Sequence, residues 1–136
     1  MHPILRNILA VIAGYLAGMV VNMGILELGP LVIANPEGFD NSTMETLAAT
    51  IHVLKPINYI PIFLSHGLGA LVGAFIAAKI AANRKMIFAL VIGVLFLLGG
   101  ITAIFILPSP TWYTIVDLVG AYIPMAWIGW KLAGGK

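Results

Sequence analysis

Asp117 is the one Asp, Glu, Lys or Arg residue set inside an apolar run of this 136-residue chain. A carboxyl group in such surroundings is expected to face other protein groups rather than hydrocarbon, because an ionised side chain facing lipid costs a few kcal/mol even off the midplane, where insertion scales give about 2.5–3.5 kcal/mol. About five residues into its run at ~1.5 Å per residue, Asp117 lies roughly 8 Å deep, and His66, in an earlier run entered from the same side, lies around 13 Å deep. Asn22 stands just inside the end of the first run, while Glu27 and Asn58 sit at the mouth of the same side. Carboxylate, imidazole and amide brought together by three segments suit a proton-accepting or cation-binding cluster with Asp117 and His66 as its ionisable core. The plainer expectation is a hydrogen-bonded plug that fixes the register of the helices, since one Asp and one His satisfy each other without a ligand.

Other chemistries find less support. The chain has no cysteine, which removes disulfides, thiolate nucleophiles, iron–sulfur ligation and Cys-based zinc sites. A zinc site would need His66, Asp117 and either Glu27 or His52 to converge, and no HExxH-like spacing exists. No metal or cofactor is therefore expected. Ser65 adjoins His66, but neighbouring helical residues diverge by about 100°, so the two do not form a nucleophile–base pair and catalysis on a lipophilic substrate ranks last.

The elements that position these residues are set by hydropathy. Hydrophobic residues make up 61% of the chain and charged residues 9%, far from the balance of a soluble domain, so lipid is the expected solvent. Apolar runs at 8–26, 57–78, 86–107 and 112–130 each approach the ~20 residues that span a bilayer as a helix. With every backbone polar group to be satisfied inside its own segment, the expected fold is an all-α integral membrane protein. Its four transmembrane helices cover about 5–28, 57–82, 86–107 and 111–132, forming two hairpins within one membrane domain. The first run follows Arg6 and precedes a permissible cleavage site at Val32-Ile33-Ala34, but it exceeds the ~7–15 apolar residues of a secretory signal and is read as a retained helix.

Arg6, Lys79, Arg84, Lys85, Lys131 and Lys136 fall on one side of this arrangement, and Glu27, Glu37, Asp40, Glu45 and Lys55 on the other. The positive-inside rule then puts both termini in the cytoplasm, with a bacterial inner membrane as the expected location. A net charge of +2 does not indicate a nucleic-acid partner, because the basic residues flank apolar runs and form no stripe.

The long outer connection has its own order. Asn35-Pro36-Glu37-Gly38 signals a turn, and Ser42 with Glu45 three residues later suggests a capping box for an amphipathic helix at about 43–55. Its Met44, Leu47, Ala48, Ile51 and Leu54 share a face that either lies in the interface or covers the outer end of the bundle. The hairpins also resemble each other: Arg6-Asn7-Ile8-Leu9-Ala10 with Gly14 aligns with Lys85-Met86-Ile87-Phe88-Ala89 with Gly93. Such a match suggests a parallel two-helix repeat about an axis along the membrane normal.

Small residues recur every fourth position at Ala10, Gly14 and Gly18, and again at Ser65, Gly69, Gly73, Ala77 and Ala81, marking surfaces for close helix packing. Pro124 removes the donor for the carbonyl of Gly120, so a hinge is expected one turn beyond Asp117. Trp112, Tyr113 and Tyr59 at one edge, and Trp127 and Trp130 at the other, read as interfacial anchors. Two functions suit this inventory best. One is a homo-oligomeric transporter or channel for protons, cations or a small solute. The other is a non-catalytic accessory subunit of a larger membrane complex, with lipid and either its own copies or that complex as partners.

Overall fold

A computed structural model of Met1–Lys136 is all-helical. Helix α1 covers Pro3–Val32, α2 Met44–Thr50, α3 Tyr59–Ile80, α4 Lys85–Ile106, α5 Thr111–Gly120 and α6 Ile123–Leu132, with single 3₁₀ turns at Ile51–Val53 and Pro56–Asn58. Four stretches are long and apolar enough to cross a membrane: Pro3–Val32, Pro56–Ile80, Lys85–Ile106 and the α5–α6 pair Thr111–Leu132.

The distribution of side-chain size follows from a lipid solvent. Ala10, Gly14, Gly18, Ser65, Ala70, Ala74 and Ala77 are buried, while Ile4, Ile8, Ile12, Leu16 and Val20 of α1 and Leu98, Ile101 and Phe105 of α4 are exposed. Lipid gives apolar surface no reason to hide, so helices associate through small residues that let backbones approach. The four apolar helices accordingly fit a membrane-embedded protein.

The two small-residue stripes meet each other. A Cβ built on Gly14 would stand 2.6 Å from the carbonyl oxygen of Gly73, and one on Gly18 2.6 Å from that of Gly69. Helices α1 and α3 are thus antiparallel and in backbone contact, in a register that brings Asn22 beside Gly69 at 3.2 Å from its Cβ position. Phe96 of α4 closes over this contact, 2.8 Å from the Cβ position of Gly18, with its ring 5.6 Å from that of Tyr15. On the far side of α3, Gly129 of α6 sits against the carbonyl of Leu71 and Gly93 of α4 against Ala126. Gly14 and Gly93, equivalent in the repeat suggested by the sequence, both lie at helix contacts. Their surroundings differ, since α3 is continuous where its counterpart is broken into α5 and α6.

The end that carries both termini is tied together by polar contacts. Asn7 of α1 donates to Asn83 Oδ1 at 3.2 Å and accepts from the backbone N–H of Ala82 at 2.8 Å, while the Arg6 guanidinium donates to the carbonyl of Ile80. These bonds brace a turn so short that Arg84 takes a left-handed conformation (φ 44°) to start α4.

Four features differ from the sequence expectation. Helix α1 runs to Val32 rather than 28, through Pro30, and its Gly29 lies against Pro61 of α3. Capping of α2 shifts by one residue: Thr43 is the N-cap and Thr46 its partner, whereas the backbone N–H of Ser42 is taken by the carboxylate of Asp40. The helical segment is also shorter than 43–55. Thr50 bonds back to the carbonyls of Thr46 and Asp40, and a 3₁₀ turn follows. The fourth crossing is two helices, as the site requires below.

Candidate functional site

Four side chains meet at the wall of a cavity near the loop end of the bundle. Helix α3 supplies His66, α5 supplies Asp117 and Tyr113, and the joint between α5 and α6 supplies Tyr122. His66 Nδ1 lies 2.8 Å from Asp117 Oδ1, the Tyr113 hydroxyl donates to the same oxygen at 3.2 Å, and the Tyr122 hydroxyl donates to Oδ2 at 2.7 Å. Asp117 is 5% exposed and Tyr122 1%.

The joint is what completes the cluster. Tyr113 precedes Asp117 by four residues and shares its helix face. Tyr122 follows by five, which on a continuous helix would turn it about 140° away. Pro124 cannot donate to the carbonyl of Gly120. The chain leaves the α5 spiral at Ala121 and Tyr122 (φ −108°, ψ −75°), then resumes as α6 with the N–H of Ala126 on the carbonyl of Tyr122. This departure swings the Tyr122 phenol back onto the carboxylate. Gly100 of α4 makes room for it, because a Cβ there would collide with the Tyr122 hydroxyl. The Tyr122 ring stacks at 5.8 Å on that of His66.

Both phenol protons point at Asp117, so the third donor that the carboxylate receives is Nδ1–H of His66, a tautomer assigned from this hydrogen-bond pattern. In the neutral ring Nε2 then carries the lone pair. It has no hydrogen-bond partner, and His66, its side chain 25% exposed, lines the cavity. A carboxylate fixing Nδ1–H while Nε2 stays free is the arrangement that orients an imidazole to accept a proton or a donor group.

The cavity holds about 550 Å³, a volume suited to a small organic molecule. Met19, Asn22, Met23, Leu26, Glu27 and Pro30 form its α1 wall, and Leu95, Gly99, Gly100, Ala103 and Ile104 its α4 wall. His66, Tyr113, Asp117 and Tyr122 stand between them. Met44 and Leu47 of α2, with Ile51 and Leu54, cover the loop end, so the apolar face of this segment turns toward the bundle. The floor is the contact among Tyr15, Gly18, Gly69 and Phe96. The cavity is therefore blind toward the termini.

The remaining residues singled out from the sequence fall in separate places. Asn22 lines the cavity with a buried Oδ1 that has no partner, and it bonds neither His66 nor Asp117. Glu27 also lines it, exposed and without a hydrogen bond. Asn58 is occupied by backbone: its Oδ1 accepts from Lys55 N–H at 2.9 Å and its Nδ2 donates to the Ala34 carbonyl at 3.1 Å, tying the segment after α1 to the start of α3. Gly120 faces the Phe63 ring at 3.4 Å from its Cβ position, and Pro124 is in the first turn of α6. The Ser65 hydroxyl donates to the Ile62 carbonyl at 2.6 Å, so no serine nucleophile faces His66. No three His, Asp or Glu side chains converge as a metal would need.

Sequence reasoning missed both tyrosines. Tyr113 reads as an interfacial anchor, yet it is buried, with its ring 4.4 Å from the likewise buried Tyr59. Its spacing of four from Asp117 was the available signal. Tyr122 gave none on a straight helix, since it joins the cluster only through the break. No protein-family model, curated protein or solved structure matches this chain.

Proposed function

We propose that this polytopic membrane protein is a small-solute carrier in which the cavity holds the solute and the His66–Asp117 pair binds the proton exchanged with it. One observation carries the reading: His66 Nε2 is free and open to a blind cavity, beside a break in a membrane-spanning helix. A blind cavity serves a carrier better than a channel. The α5–α6 joint supplies an element able to move, because a discontinuous crossing bends at lower cost than an intact one.

The proposal includes the orientation. Arg6, Lys79, Lys85, Lys131 and Lys136 gather at the terminus end, which supports cytoplasmic termini, a cavity opening toward the outside and a bacterial inner membrane. It also includes assembly of several copies. The glycine stripes are occupied within the chain, so such assembly would use the exposed aliphatic faces of α1 and α4.

Reconstitution into vesicles containing a pH reporter tests the reading. Solute-driven proton movement is expected to vanish in Asp117→Asn and His66→Ala and to fall in Pro124→Ala. Unchanged flux in the first two variants sinks the assignment. The exposed face of α1 equally suits an accessory subunit, and a stoichiometric larger partner in mild detergent, without flux by the chain alone, would favour that role.

A further inference from the structure

The polar atoms that face the cavity are unevenly matched. His66 Nε2 offers a lone pair and Glu27 brings a carboxylate that bonds nothing, whereas the unpartnered Oδ1 of Asn22 is sealed from the cavity. Among cavity-lining side chains no Lys or Arg is present to neutralise Asp117 or Glu27. An anion placed there would meet the carboxylates of Asp117 and Glu27 and no Lys or Arg. The rest of the wall is apolar and aromatic, with Tyr15, Phe39 and Phe96 presenting rings and Met19, Met23 and Met44 presenting side chains that adapt to shape.

From this pattern we infer that the cavity takes a lipophilic protonated amine. Its N–H group faces His66 Nε2, its charge is balanced by Glu27, and its hydrocarbon part lies along the methionine and aromatic wall. The cluster and the wall make separate demands. A ligand without an N–H or O–H leaves the Nε2 lone pair unmatched inside the cavity, and an N–H satisfies it. An ammonium taken out of water needs a counter-charge and gains further from ring faces. A neutral alcohol meets only the first demand, and a quaternary ammonium only the second. The protonated amine alone meets both.

The inference rests on the carrier reading in placing the solute in the same cavity, and its test is separable from that reading. The full chain in detergent micelles, labelled with ¹⁵N at histidine, is titrated with octylammonium, octyltrimethylammonium and 1-octanol. The ring nitrogens of His66 report occupancy. Octylammonium is expected to bind saturably, on the order of tenfold more tightly than the other two, and to move the Nε2 resonance. Glu27→Gln is expected to weaken octylammonium about tenfold and leave 1-octanol unchanged. Equal affinity for all three probes, or a preference for 1-octanol, overturns the inference. The variant's thermal midpoint checks that it is folded, and Glu27, exposed and unbonded, is the substitution least able to disturb the fold. Octylammonium binding without proton flux would overturn the carrier and leave the amine site standing. Proton flux driven by a neutral solute alone would do the reverse.

Discussion

Tyr122 and Asp117 are five residues apart in sequence and 2.7 Å apart across a hydrogen bond, because the helix that would have separated them is broken between them. The same break lets α5 and α6 follow different axes. A backbone irregularity at membrane depth thus has two effects: it completes the donors around a buried carboxylate and it provides a joint. Each effect can be probed by substitution.

The two phenols are not equivalent. Tyr122 is the only donor to Oδ2, whereas Oδ1 receives both Tyr113 and His66 Nδ1. Tyr122→Phe leaves a buried carboxylate oxygen unpaired and is expected to cost about 1–3 kcal/mol, with Tyr113→Phe costing less. Thermal midpoints of the two variants in one detergent check the order, and a larger loss from Tyr113→Phe would contradict it.

Gly100 and Tyr122 are expected to be coupled. A methyl group at position 100 displaces the Tyr122 ring, so Gly100→Ala and Tyr122→Phe disturb one interaction and their effects should be less than additive. A double-mutant cycle on chemical unfolding measures this. Simple additivity would mean that the ring moves aside without leaving the carboxylate.

The glycines divide into those in helix contacts and those facing open space. Gly14→Ala and Gly73→Ala each force a methyl against backbone and are expected to destabilise the α1–α3 pair by about 1–3 kcal/mol. Gly24→Ala and Gly99→Ala meet nothing within 4 Å and should be neutral or slightly stabilising, through the better helix propensity of alanine. The same unfolding assay applied to all four variants separates the groups.

Outside the spanning helices, Ser42 beside Asp40, through its hydroxyl and then its backbone N–H, holds the Asp40 carboxyl below its ordinary value of 3.8. A carboxyl with a depressed folded-state pKa contributes stability that is present above the unfolded value and is lost as pH falls through the folded one. The turn before α2 should therefore stay ordered down to below pH 3.8. Ser42→Ala should move the Asp40 titration back upward. NMR titration of the Asp40 carboxyl carbon reads both.

The spans were legible because lipid imposes one requirement on whole segments: about 20 apolar residues with backbone bonds satisfied internally. Helix α4, expected at 86–107, is found at Lys85–Ile106. Ends were less legible: α1 continues through Pro30 to Val32, four residues beyond its expected end. Asp117 and His66 stood out as polar groups in apolar runs, and the depth argument brings them to one level. Asn58 shows the limit of that argument, because depth says nothing about whether the backbone has already taken an amide. Tyr122 marks a further limit: periodicity assigns faces only while the helix is continuous.

Helix α1 has 30 residues and α4 has 22, so at ~1.5 Å per residue they measure about 45 Å and 33 Å. A bilayer with a hydrocarbon core of about 30 Å accommodates α4 nearly upright, but α1 must tilt or project beyond it. The projecting turns of α1 carry the segment that covers the cavity. Because Gly14 and Gly18 hold α1 in backbone contact with α3, any tilt of α1 is shared by the helix that carries His66, and the cover travels with the cavity it closes.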